Sequence, residues 1–302
     1  MTSINTNTSA QAALQTLRSV NQSLNNTQNH VSSGYRVEKA SDNAAYWSIA
    51  TTMRSDNKAL SAVSDALGVG AAKVDTAYTA MDSAIDVVGD IKAKLVAATE
   101  NGVDKAKVQE EIGQLQQQLL SISQSASFNG ENWVAGASGT KSVVSSFVRD
   151  GSNAVSITTT DYVLDSGSTG NVLFGMTTAG TVETSTGILG TSSGATGSIY
   201  AMDITNFTAG QIQSALTNVE AALKAMTSAG AALGSLSSRI DAQDDFVSAL
   251  SDSIDSGVGR LVDANMEEES SKLSALQTQQ QLAIQSLSIA NSSSQNILSL
   301  FR

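Results

Sequence analysis

From Tyr46 to Leu95 the apolar positions advance by three and four residues in alternation: Tyr46, Ile49, Met53, Leu60, Val63, Leu67, Val74, Ala77, Met81, Ala84, Val88, Ile91 and Leu95, with Asp56 and Gly70 filling the two remaining places. This is the a/d seam of a coiled coil, held for about seven heptads. It predicts one helix roughly 75 Å long, several times the ordinary length. A matching seam runs through Ile212, Leu216, Val219, Leu223, Met226, Leu233, Ile240, Val247, Ile254, Val258 and Leu261, with Gly230, Ser237, Asp244 and Ser251 between them. One seam precedes the middle of the chain and the other follows it. The predicted topology is therefore an antiparallel pair with both termini at one end and the central segment at the other.

Weaker helical patterns flank the pair. Ala10, Ala13, Leu17, Val20, Leu24, Thr27 and Val31 form a stripe whose other faces are Ser, Thr, Asn and Gln, so this helix needs neighbours to fold. The register fails between Val31 and Tyr46, where Gly34 can end one helix and Ser41-Asp42-Asn43 can cap the next. It fails again past Leu261, beside Gly257 and Gly259 and the acidic run Glu267-Glu268-Glu269. A final helix carries Leu273, Leu276, Ala283, Leu287, Ala290, Ile297 and Phe301 on one stripe and Leu282, Ile289 and Leu300 on another, so it expects more than one neighbour.

After a turn at Glu100-Asn101-Gly102, a shorter helix with Val108, Ile112, Leu115, Leu119 and Ile122 folds back and ends at Phe128-Asn129-Gly130. Residues 143–149 and 155–159, joined through Asp150-Gly151-Ser152-Asn153, predict a β-hairpin. Residues 177–197 are nearly all Gly, Thr, Ser and Ala and read as a surface loop or a few short strands.

The fold class is mainly α: an antiparallel long-helix coiled-coil bundle in two stacked layers, with a small β-hairpin and β-rich insert. Three regions are expected: 1–44 with 258–302 as an inner terminal-helix domain, 45–130 with 208–257 as a helical rod, and 131–207 as the hairpin and exposed insert. Assembly and inner packing fall to Leu14, Leu17, Leu24, Val31, Leu273, Leu276, Leu282, Leu287, Ile289, Ile297, Leu300 and Phe301. The hinge is assigned to Gly34, Tyr35, Arg36, Gly257 and Gly259, and the rod seam to Ile49, Leu60, Leu67, Met81, Leu95, Leu223, Leu233 and Ile240.

Composition narrows the function. The 302 residues include no proline, the commonest helix breaker, and only 4% aromatics, which suits thin helix seams. A net charge of -11 without a basic cluster argues against nucleic-acid and anionic-membrane partners. With no cysteine and a single histidine, His30, the chain has no material for a Cys-ligated zinc or a two-His metal site, and a Ser-His-Asp triad would rest on that one side chain. Gly136 to Ser142 superficially imitates a phosphate loop, but Thr140 separates Gly139 from Lys141, and a flexible turn is the better reading. No catalytic, metal or cofactor site is expected. The opening Met1-Thr2-Ser3-Ile4-Asn5-Thr6-Asn7 lacks a leader pattern, which leaves residence inside the cell or export without a cleaved leader. What remains is self-association. Uncharged polar helices with multi-sided apolar stripes suit the inner packing of a polymer, and head-to-tail contacts that do not close give a filament.

Several motifs carry a resemblance: Ile4-Asn5-Thr6-Asn7; Val31-Ser32-Ser33-Gly34-Tyr35-Arg36-Val37; Ala40-Ser41-Asp42-Asn43-Ala44-Ala45-Tyr46-Trp47-Ser48-Ile49-Ala50; Ser238-Arg239-Ile240; Val262-Asp263-Ala264-Asn265-Met266-Glu267-Glu268-Glu269; and Gln295-Asn296-Ile297-Leu298-Ser299-Leu300-Phe301-Arg302. Together these resemble the bacterial flagellins over roughly 1–130 and 210–302, and the Tyr46-Trp47 pair with Met266-Glu267-Glu268-Glu269 is similar to alphaproteobacterial, rhizobial types.

The resemblance implies an inner domain of terminal helices lining a channel, a rod domain with a hairpin, and a solvent-facing insert. It also implies export through the flagellar type III apparatus, an export chaperone on the C-terminal helix, and cap and junction proteins as partners. The function implied is that of an extracellular filament subunit, the propeller for swimming. The polymer is expected to form from copies of this chain, with co-assembly of other flagellins left open, and the hook-filament junction protein is the alternative. Two departures stand out. Ser294 occupies the place where many relatives have Pro, and Ala93-Lys94-Leu95 stands where enterobacterial relatives present Arg-Glu-Leu to an innate immune receptor, so poor recognition by that receptor is expected.

Overall fold

A computed structural model describes residues 7–100, 102–152, 154–177, 180–192 and 196–299, with side chains in the last of these segments through Ser292. The chain falls into two compact units, Met1–Lys58 with Asp252–Arg302, and Ala59–Ser251. The fold is mostly helical, with small antiparallel strand pairs. Four helices carry most of it: α1 (Thr8–Ser33), α2 (Ala44–Ala97), α5 (Ala209–Val262) and α6 (Met266–Ser299).

In unit 1, α1 starts at Asn7, whose side chain accepts the Ala10 N–H, and stops at Gly34, which adopts φ 75° and donates its N–H to the His30 carbonyl. Only a left-handed residue closes a helix this way, and glycine does so without side-chain strain. Helix α1 pairs antiparallel with α6: the Asn7 amide donates to the Ala290 carbonyl (2.9 Å), the Gln280 amide to Asn21 Oδ1 (2.7 Å), and His30 lies 3.5 Å from Glu269. Of α1 only Leu24 and Thr27 are buried. The segment after α1 is laced to the end of α5. The N–H groups of Arg36 and Val37 donate to the Val262 carbonyl (2.7 and 3.1 Å), the Arg36 guanidinium to the Leu261 carbonyl, and the Ala264 N–H to the Gly34 carbonyl. A small core of Val37, Ala50, Val258 and Val262, with Met53, Ile254 and Leu261 against it, sits beneath.

In unit 2, α2 and α5 run antiparallel, as three side-chain contacts define: Ser64 with Asp244 (2.7 Å), Asp75 with Ser237 (3.0 Å), and Lys92 with Glu220. Leu67, Val74, Met81, Ile91 and Leu95 of α2 and Ile212, Val219, Met226 and Leu233 of α5 are buried. Helix α3 (Lys105–Ser125), capped by Asp104, buries Ile112, Gln116, Leu119 and Ser123. Its Gln116 donates to the carbonyls of Ile199 and Met202, and Gln109 both donates to Met202 and accepts the Ile204 N–H. These amides moor the segment that leads into α5. Strands β1 (Ser127–Phe128) and β2 (Glu131–Asn132) close over Asn129 (φ 51°) and Gly130 (φ 80°), a primed turn. The main hairpin joins β3 (Gly139–Arg149) to β4 (Val155–Leu164), with a bulge between Val144 and Ser146. Strands β5 (Gly175–Met176) and β6 (Val182–Glu183) and the short α4 (Gly187–Gly190) complete the unit.

Three expectations need correction. Gly257 and Gly259 do not interrupt the chain: α5 continues through both to Val262, and the break lies at residues 263–265, where the Asn265 side chain accepts the N–H of Glu267 (3.2 Å). Gly257 instead admits the end of Met53, which would stand 3.3 Å from a Cβ there. Gly139 to Ser142 are not a flexible turn but the first residues of β3, with Lys141 opposite Tyr162. Ile49 is not in the seam, since it is 49% exposed while Ala50 is buried. The buried side there runs through Ala50, Met53 and Leu60, with a solvent-exposed hydrogen bond at its edge, Asn57 Nδ2 donating to Asp255 Oδ1 at 2.6 Å. Both registers obey three-four spacing. Bulk favours Ile49 over Ala50 on paper, while in the fold it is Ala50 that joins Val37, Val258 and Val262 in the small core.

The insert also holds more than a loop. Trp133 stacks on Tyr162 at 5.8 Å, Phe174 meets Tyr200 edge-on at 5.5 Å, and Val134, Leu164, Val172, Leu173, Leu189 and Ile204 are buried around them.

Candidate self-association surface

The α1/α6 pair of unit 1 is half a hydrophobic core. Leu24 is buried, while Leu17, Val31, Leu273, Leu276 and Leu287 are only half-buried. Leu14, Leu282 and Ile289 are exposed, as is Ile284, and Ile289 reaches 68%. Two helices can bury one stripe each against the other. The second stripe of α6 has nothing to cover it within the pair, so Leu282 and Ile289 face outward. Burying such a side chain contributes roughly 1.5–3 kcal/mol, and water recovers none of it. Ile297 lies in α6 with its side chain outside the described set, and Leu300 and Phe301 lie outside the described residues.

Of the hinge residues, Gly34, Tyr35 and Arg36 sit together against the end of α5: Tyr35 bridges to Asp263, and its ring carries the Arg54 guanidinium 4.9 Å from the centroid. Of the rod-seam residues, Leu60, Leu67, Met81, Leu95, Leu233 and Ile240 are buried and Leu223 is half-buried. In unit 2 a shallow groove between α2 and α5 is lined by Val96, Leu216, Leu223 and Thr227, with Lys92 and Glu220 at its rim.

Electrostatics here are structural. Asp42 accepts the N–H groups of Lys39 (3.0 Å) and Glu38 (3.1 Å), and the Lys39 bond foremost holds its carboxyl below the ordinary value. The hydrogen bond from Lys73 does the same for Glu131, and the bond to Glu111 raises Lys94. Burial raises the Tyr162 phenol. His30 packs beside Glu269, which is itself buried and also lies 3.7 Å from Lys272. Among the described residues no three His, Cys, Asp or Glu side chains converge to hold a metal, and no helix is long and apolar enough to cross a membrane. Trp47 and Phe246, exposed at 38 and 57%, were not among the residues expected to mediate contacts, and Tyr46, expected as the first seam position, is 41% exposed.

Residues 4–139 match the family model for the bacterial flagellin N-terminal helical region, and residues 216–301 match that for the C-terminal helical region. The chain is 50% identical to flagellin A of Rhizobium meliloti across an aligned length of 395 that covers all of both chains, and 51% identical to flagellin C of Rhizobium meliloti strain 1021 over 324, again covering both. It is 46% identical over 303 residues to a flagellin of Brucella melitensis biotype 1, with full coverage of each.

Proposed function

The chain belongs to the bacterial flagellin family and is a structural subunit of the flagellar filament; from that premise we propose that unit 1 carries the contacts by which it polymerises. Members of this family self-associate into an extracellular filament that serves motility. The reading rests on one observation: Leu282, Ile284 and Ile289 on α6, with Leu14 on α1, remain exposed after the two helices have paired. Surfaces of this kind are completed by other copies. In this reading 1–44 with 258–302 form the inner layer of the polymer, 45–130 with 208–257 the rod, and 131–207 the outward part. Gly34, Tyr35 and Arg36 form the joint between the first two. The chain leaves the cell through the flagellar export apparatus, with a chaperone covering the C-terminal helix beforehand, and adds at the tip beneath a cap protein. The junction-protein alternative has no observation in its favour, since each relative named above is a flagellin.

Electron microscopy of the purified chain with and without residues 1–30 tests the proposal. Full-length protein should form filaments on seeds. The truncated chain should not, while keeping the thermal transition of unit 2. A full-length chain that stays monomeric at high concentration, with protease-resistant ends and no growth on seeds, would overturn it.

A further inference from the structure

Outside the α1/α6 pair, the first turns of α2 carry a second unpartnered face. Trp47, Thr51, Arg54 and Lys58 are separated by four, three and four residues, which places them in line along one side of the helix. Trp47, Thr51 and Lys58 are exposed, and Arg54 lies over the exposed Tyr35 ring at 4.9 Å. Asp56 falls on the other side, and among the described residues neither Arg54 nor Lys58 is in an ion pair. In a chain of net charge -11 this is a local cationic and aromatic strip.

The complementary chemistry occurs on α5. Asp241 and Asp245 are exposed and four residues apart on one side of the helix, while Arg239 and the 57% exposed Phe246, seven residues apart, share another side. Resting on the polymer reading above, we propose that the Trp47–Arg54–Lys58 face of one copy seats on the Asp241–Asp245 face of a second copy. Four residues advance about 6 Å along a helix axis, so the Arg54–Lys58 and Asp241–Asp245 spacings match and two ion pairs form together. Seating also covers Trp47, a residue type that anchors interfaces when desolvated. The two faces are different patches, so the contact is heterologous and repeats from copy to copy without closing into a dimer.

The chain has two tryptophans, and Trp133 is 2% exposed, so acrylamide quenching of the full-length protein reports on Trp47, with W47F giving the Trp133 background. Polymerisation should blue-shift the emission and make Trp47 inaccessible to quencher. The double variant R54E/K58E should slow seeded elongation by about tenfold or more, and adding D241K/D245K to the same chain should restore it. Filaments in which Trp47 quenches as in the monomer overturn this contact and leave the polymer reading intact, whereas failure of any wild-type chain to polymerise removes both. Failure of the acid-to-base pair to rescue overturns the pairing, as does a Trp47 shift produced by anionic phosphatidylserine vesicles but not by polymerisation. Should a variant lose its helical circular dichroism, the wild-type quenching decides.

Discussion

At Gly34 the backbone turns with φ 75°, and a Cβ built there would meet nothing within 4 Å, so the penalty for a side chain is one of conformation alone. Gly34→Ala should destabilise unit 1 by about 1 kcal/mol, measured by denaturant unfolding; an unchanged midpoint would show that the turn relaxes at no cost. Asp42 gives a pH dependence of definite sign. Its carboxyl titrates below the ordinary 3.8 because the folded turn donates two N–H groups to it. Stabilisation by a depressed acid is complete above its unfolded value and disappears as pH falls through the folded one. Protection of the Glu38 and Lys39 amides relative to their intrinsic exchange rates should therefore fall as pH drops below 3.8, and Asp42→Asn should remove the pH dependence; wild-type protection that persists at acid pH would contradict the assignment. At this scale the caps were legible in the sequence, because Gly34 and Asn43 announce them by residue type. The choice of Ala50 over Ile49 was not. It depends on which residue meets Val37, Val258 and Val262 in the small core, and both registers keep three-four spacing in a string of letters.

Among the elements, the contact of β3 with α2 is set by Gly70, where a Cβ would run into the Val143 side chain. Gly70→Ala should cost about 1–3 kcal/mol by overpacking, and Val143→Ala in the same chain should recover part of that loss, so a double-mutant cycle should show coupling between the two. Additive effects would place the hairpin elsewhere. Helices α2, α3 and α5 were readable from their three-four periods, since a seam repeated over many turns averages out local exceptions. The insert was not. Its core joins Trp133, Tyr162, Phe174 and Tyr200 from short segments far apart in the chain, and short strands carry too little period to reveal which face is buried. Gly257 and Gly259 misled for a related reason. Glycine weakens an isolated helix by about 1 kcal/mol, and a packed partner outweighs that.

For the molecule as a whole, the hydrophobic pattern announces a subunit and not a finished globule, because the second stripe of α6 has no complement in the same α1/α6 pair. Leu282→Ser with Ile289→Ser should leave the helical circular dichroism of the monomer nearly unchanged and raise the critical concentration for filament growth by about tenfold or more, read by sedimentation after seeding. Wild-type growth of that variant would separate the exposed stripe from assembly. The self-association surface was thus partly legible: which helices carry it follows from their double stripes, whereas Trp47 and Phe246 emerge only once burial is known.

The amide bonds from Asn7 to Ala290 and from Gln280 to Asn21 tie α1 to α6 without ions. Before His30 the only charged residue of α1 is Arg18, and α6 carries none between Lys272 and Ser299. Dissolved electrolyte screens charges but barely alters neutral amide bonds or apolar contact. Away from the His30–Glu269 contact at one end, the coupling of the two tails is accordingly built to hold the same grip in dilute and in salty water, leaving any response of the filament to salinity to the charged surfaces elsewhere along the chain.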